Sequence, residues 1–155
     1  MSARVEAVIW AAALAALAAL VVAEGGRRAD LERRVPVGAK ELYRTLARSQ
    51  AGVQVVDVRP DLADGYGESH VPGAIPLPGC DPAKAPPGAA DRIHRSVPTV
   101  LVSSSGGGEE IERCLARFTA ARTLAGGMDA WDAARLPEDA GDYTPPSTKA
   151  GGGCL

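Results

Sequence analysis

Net charge, aromatic rings and paired cysteines are all scarce in this chain, and each scarcity closes a class of function. The net charge is only −2, with a pI near 5.7, so a nucleic-acid partner gets no electrostatic support. One Phe, two Trp and three Tyr leave the core to Val, Leu, Ile and Ala. The three cysteines, Cys80, Cys114 and Cys154, make no CxxC and no Cys/His pairing. Such an odd, scattered set argues against a disulfide framework and against a zinc site, and no metal or cofactor is expected. There is no internal repeat, and 155 residues leave room for one domain plus tails.

What is present centres on Thr99 to Ile111, TVLVSSSGGGEEI. Thr99–Val102 is short, β-branched and apolar, as a strand covered on both faces should be. Ser103, Ser104, Ser105, Gly106, Gly107 and Gly108 follow, a loop of small residues able to turn tightly and aim N–H groups inward. Glu109 then opens a helix. Strand, loop and helix start is where α/β proteins place anion sites and nucleophiles. Yet the loop holds no Cys, His, Lys or Arg. It has the shape of an active site without the usual chemistry.

At the amino terminus, Ala7 to Ala23 (AVIWAAALAALAALVVA) runs seventeen residues without a charge. At about 1.5 Å per residue it spans roughly 25 Å, the short end for a membrane helix, and it has no polar stripe. A transmembrane helix is expected here, with Trp10 in the bilayer. A retained anchor is favoured over a cleaved signal, although Val21-Val22-Ala23 is a passable cleavage site. Ala7, Ala11, Ala15, Ala19 and Ala23 give small-xxx-small spacing, but an alanine-rich run produces it by chance as well. Arg27, Arg28, Arg33 and Arg34 follow the helix while Arg4 alone precedes it, which favours the cytoplasmic side for the rest of the chain over a periplasmic or other extracytoplasmic one.

Beyond a charged spacer to Arg34, strands and helices alternate. A helix is expected over Lys40–Ser49, a strand over Val53–Val58, and a brief edge strand in the proline-punctuated His70–Pro78. A short helix is predicted at Ala89–Arg95, then the central strand and a helix continuing to about Phe118. Ala121–Leu124 and Met128–Ala134 complete the alternation, with Trp131 as core packing. Such spacing implies a parallel α/β sheet. From Pro137 the chain reads as a disordered tail. Cys114 is expected to be a buried, inert thiol, Cys80 to sit in a loop that exposes it, and Cys154 to ride on the tail.

Three separated pieces, in order, resemble the rhodanese-like domain family. Val55-Val56-Asp57-Val58-Arg59 is similar to the family's Asp-x-Arg at a strand end. Ser69-His70-Val71-Pro72-Gly73-Ala74-Ile75-Pro76-Leu77-Pro78 resembles its Gly-His-Ile-Pro-Gly-Ala segment, with Ser69 in place of Gly. Leu124-Ala125-Gly126-Gly127-Met128-Asp129-Ala130-Trp131 through Leu136-Pro137 resembles its closing Gly-Gly…Trp…Leu-Pro motif. The resemblance implies an α/β, three-layer rhodanese-like fold, a parallel sheet flanked by helices, here preceded by one transmembrane helix. The organisation expected is an anchor and spacer over 1–34, the domain over 35–138 and a tail over 139–155.

The resemblance also implies what the central loop should hold. Active members deliver a cysteine after the third of these strands, in a loop that usually carries arginine; here Ser103 takes the cysteine position and no arginine follows. Rhodanese sulfur transfer runs through a cysteine persulfide, which a serine hydroxyl with its much higher pKa cannot form. Glu109 and Glu110 favour the helix start by about 0.3–1 kcal/mol each but repel thiosulfate or phosphate. A serine nucleophile would need His70 or His94 as base, and the family's histidine in the His70 motif is mainly structural. Asp57, Arg59 and His70 are expected to support the pocket rather than react. The function expected is therefore a membrane-anchored, catalytically inactive module that binds protein or serves as an accessory subunit beside a membrane-protein partner. A sulfurtransferase, or a domain that binds sulfur anions without turnover, is the alternative.

Overall fold

The computed structural model describes residue 10 and residues 12–25, 35–48 and 52–145. It divides into two compact units, Met1–Val35 and Pro36–Leu155, each considered by itself. In the first unit residues 12–25 are helical, and Leu14, Leu17, Leu20, Val21 and Val22 are 59–76% exposed. Ala7–Ile9 and Ala11, part of the expected membrane segment, lie outside the described residues. Among the described residues no helix is long and apolar enough to cross a membrane.

The second unit is built around four parallel strands. These are β1 (Gln54–Asp57), β2 (Ile75–Pro76), β3 (Thr99–Val102) and β4 (Ala121–Thr123), in the order β2-β1-β3-β4. Helix α1 (Ala39–Leu46) precedes β1, α2 (Glu109–Leu115) follows β3, and α3 (Gly127–Ala133) follows β4. The register Val55↔Val100, Val56↔Leu101 and Asp57↔Val102 brings the carboxyl ends of β1 and β3 side by side.

Alternation along the central strands sorts the core into two layers. Val55, Val100 and Val102 face Leu42, Leu124, Met128 and Trp131 on one side of the sheet. Val56, Val58 and Leu101 face Ile111, Cys114, Phe118 and Ala121 on the other. Every residue of β3 is buried, as a short apolar run covered on both faces requires. At about 1.5–3 kcal/mol per fully buried aliphatic side chain, this strand is a principal source of stability.

Several boundaries move for physical reasons. The Ala89–Arg95 helix is a single 3-10 turn, Ala90–Arg92, and Leu62–Gly67 forms a π-helical turn capped by Asp61 Oδ1 on the N–H groups of Ala63 and Asp64. Helix α2 stops at Leu115, so Phe118 joins its apolar layer from the connecting turn. The chain after Pro137 is not a loose tail as far as Pro145. Asp139 exchanges both main-chain hydrogen bonds with His70 (2.8 and 2.9 Å), Gly141 N–H donates to Gly67 O at 2.7 Å, and Tyr143 packs on the core. Residues 146–155 lie outside the described residues.

Cysteine usage departs most from expectation. Cys80 and Cys114, 34 residues apart, form a disulfide with Cα atoms 5.5 Å apart, and neither is exposed. Spacing carried no hint of it because the pairing depends on the sheet order. With β2 at the edge, its exit turn lies against α2.

Candidate active-site loop

Strand β3 delivers Ser103 at the carboxyl edge of the sheet, where the chain must turn toward α2. The Ser103 side chain is fully buried. Its Oγ donates to Gly107 O at 2.8 Å and accepts from Gly106 N–H at 3.0 Å. The hydroxyl thus occupies the inside of its own loop, and its proton is committed to a main-chain carbonyl. One of the inward N–H groups that could cradle an anion is already satisfied by the serine.

The loop rests on the Gly126–Gly127 turn. Met128 N–H donates to Ser103 O at 2.9 Å and Asp129 N–H to Ser104 O at 3.0 Å. A Cβ on Gly127 would lie 2.2 Å from Ser103 O and 2.5 Å from both Gly106 N and Ser104 O. One on Gly106 would lie 2.6 Å from Gly126 N and 2.7 Å from Leu124 O. Both glycines have positive φ (57° and 85°), so side chains are excluded by space and by backbone conformation alike. The paired glycines of the closing motif therefore form the floor on which the serine loop sits.

Charge where the loop enters α2 is acidic. Glu109, Glu110 and Glu112 occupy the first turn of α2, and a Cβ on Gly108 would meet the Glu110 carboxylate at 2.5–2.7 Å. The Glu110 carboxylate therefore lies against Gly108 at the end of the loop. Arg113, the nearest cation along this helix, donates from Nη1 to Gly79 O at 2.8 Å and reaches Glu109 at 4.0 Å. It braces the β2 exit turn.

Asp57 and Arg59 come together at the end of β1. Arg59 Nη2 lies 2.6 Å from Asp57 Oδ2, and Nε donates to both carboxylate oxygens at 3.1 Å. A further bond from Nη2 reaches Ser69 O at 2.5 Å. This fork is 9% exposed at Arg59 and 1% at Asp57, and it ties β1 to the segment entering the His70 motif. His70 stacks on Tyr66 with ring centroids 3.8 Å apart and 7° between planes, and its Nδ1 is 2.7 Å from Tyr66 O. Tyr66 in turn donates its hydroxyl to Ala74 O at 2.8 Å. None of these His70 contacts is with the Ser103 loop. Burial pushes the Tyr66 phenol well above its ordinary range, with Asp57, then Tyr143 and Asp139, adding to the shift.

The family model for the Rhodanese-like domain matches residues 38–134. The chain belongs to the rhodanese-like domain family. Among solved structures, the BH2092 protein of Bacillus halodurans is 22% identical, with a TM-score of 0.57 over 76% of this chain and 85% of that one. The Alr3790 protein of Anabaena sp. is 24% identical, with a TM-score of 0.54 over 68% and 92%. Thiosulfate sulfurtransferase from Pseudomonas aeruginosa is 20% identical, with a TM-score of 0.54 over 70% of this chain and 21% of that protein. At these identities the likeness carries the fold. The comparison with curated proteins found no match.

Within this rhodanese-like domain the three motifs now have physical roles. Asp-x-Arg is the internal fork of Asp57 and Arg59. The His70 segment clamps residue 139 and stacks on Tyr66. Trp131, fully buried, donates Nε1–H to Pro137 O at 2.9 Å, which explains why a Trp and a Leu-Pro close the motif together. The glycine floor under the loop was legible only as a motif, its signal being two adjacent glycines before a helix. The disulfide joining α2 to the β2 exit turn and the contact of Glu110 with Gly108 had no sequence signal. Among the described residues, no group of three or more His, Cys, Asp or Glu could hold a metal.

Proposed function

We propose that this protein is a non-catalytic rhodanese-like module tethered to a membrane by Ala7–Ala23, where it serves as a binding or accessory subunit beside a membrane-protein partner. One observation carries the non-catalytic part. Ser103, aligned with the family's cysteine by the neighbouring motifs, is buried and hydrogen-bonded to Gly106 N and Gly107 O of its own loop. A nucleophile must shed its proton to a base and reach its substrate. Here the proton points to a carbonyl, and an oxygen in place of sulfur cannot carry a sulfane sulfur as a persulfide. The acidic first turn of α2 adds repulsion toward thiosulfate. The tether rests on the uncharged seventeen-residue run and on the exposed apolar side chains of the helical residues 12–25.

The test is thiosulfate:cyanide sulfurtransfer by the full chain in mild detergent, beside Ser103→Cys and Cys154→Ser. The native chain is expected to show no thiocyanate formation above buffer, and Ser103→Cys to acquire a persulfide detectable by mass. Turnover by the native chain would refute the reading. Its loss in Cys154→Ser would trace the activity to the C-terminal thiol. Membrane association is read by carbonate extraction of native membranes, and release into the soluble fraction would remove the tether.

A further inference from the structure

We infer that the Cys80–Cys114 bond is made during maturation by exchange with an oxidised protein dithiol oxidase, and that the rhodanese-like domain therefore folds on the oxidising, non-cytoplasmic side of its membrane. The geometry places the two Cα atoms 5.5 Å apart, within the range natural disulfides occupy. Both cysteines are fully buried in one apolar layer with Val56, Val58, Leu77, Leu101, Ile111 and Phe118. Cys80 is also held in a conformation that non-glycine residues rarely adopt. Its φ is +61°, it follows Gly79 at φ +59°, and it is pinned by Cys80 N–H to Leu77 O (2.9 Å). Arg113 reinforces the same turn through Gly79 O at 2.8 Å. The exit turn of β2 is thus shaped to present one sulfur to α2.

The chemistry balances as thiol–disulfide exchange. A thiolate of one cysteine attacks the oxidase disulfide, a mixed disulfide forms, and the second thiolate displaces the oxidase. The two cysteines lose two protons and two electrons, and the oxidase disulfide gains them as a dithiol. Cytoplasmic thiol pools hold such pairs reduced, so a structural disulfide marks an oxidising compartment. Once buried, this bond is out of reach of soluble thiols. The arginines after Ala23 favour the opposite orientation, but they set a preference at insertion, whereas a buried disulfide records where the domain folded. The inference does not depend on whether the Ser103 loop turns over.

The test uses the full chain carrying Cys154→Ser, made with its own N-terminal segment in a bacterial host. Cells are quenched in acid, and the denatured protein is capped with a maleimide-linked polymer before or after reduction. No cap before reduction and two after it are expected, one each on Cys80 and Cys114. Two caps before reduction would overturn the bond. In the same host lacking its exported dithiol oxidase, the uncapped fraction is expected to fall to a minority. An unchanged uncapped fraction there would overturn the assigned compartment.

Discussion

Substituting Gly127→Ala tests whether the loop truly rests on the glycine floor. The added Cβ would stand 2.2 Å from Ser103 O and 2.5 Å from Gly106 N and Ser104 O, all backbone atoms with no rotamer to escape into. Gly127 has φ +57°, where alanine is less favourable by about 1–2 kcal/mol. Relieving the clash moves the loop off the start of α3 and weakens the bonds from Met128 N–H to Ser103 O and from Asp129 N–H to Ser104 O. At about 0.5–1.5 kcal/mol each, these bring the total to about 2–5 kcal/mol. For a domain of this size that corresponds to roughly 8–20 °C in Tm, at about 4 °C per kcal/mol. The control is Gly107→Ala, where an added Cβ meets nothing within 4 Å. It should stay within about 0.5 kcal/mol of the native chain. The assay is urea unfolding of the full chain in mild detergent, followed by near-UV circular dichroism of the buried Trp131. If Gly127→Ala is neutral, or Gly107→Ala loses as much, the floor argument is wrong.

Other perturbations follow from the same geometry. Arg59→Ala strands the Asp57 carboxylate, whose side chain is 1% exposed, and should destabilise by about 3–5 kcal/mol. Adding Asp57→Ala should recover part of that loss, and a double variant equal to the sum of the singles would show that the fork is not coupled. The Tyr66 phenol has its pKa raised by burial, so its contribution to stability is whole below the unfolded-state value near 10 and is lost as pH rises above it toward the folded value. Tyr66→Phe should give up about 1 kcal/mol at neutral pH for the bond to Ala74 O and should lessen the alkaline decline by up to about 1.4 kcal/mol per pH unit. Identical alkaline slopes in the two proteins would contradict the assigned burial.

Much of the site was legible because its signals are local. Asp-x-Arg at a strand end needs only two residues to form a fork, and Gly126-Gly127 before a helix advertises a backbone no side chain tolerates. A β-branched apolar run followed by serines and glycines announces a buried strand and a tight loop. What escaped depends on partners distant in the chain. The partners of His70 are of this kind, its ring stacked on Tyr66 and its main chain paired with Asp139. Residues 139–145 look unstructured by composition, and they are held because the His70 segment offers main-chain groups to pair with.

The family architecture is written in the residues, since alternating strands, glycine turns and three ordered motifs each encode a backbone requirement a few residues long. The loop's chemistry is also in the sequence, since from Ser103 to Gly108 it holds hydroxyls and glycines and no thiol. Packing is what folds the Ser103 hydroxyl into its own loop and brings the Glu110 carboxylate against Gly108. Packing likewise joins Cys80 to Cys114, which composition had set apart. All three share one cause. Hydrogen bonding inside a loop and contact across a sheet are set by how the chain packs, and residue type alone does not say which neighbours it will meet.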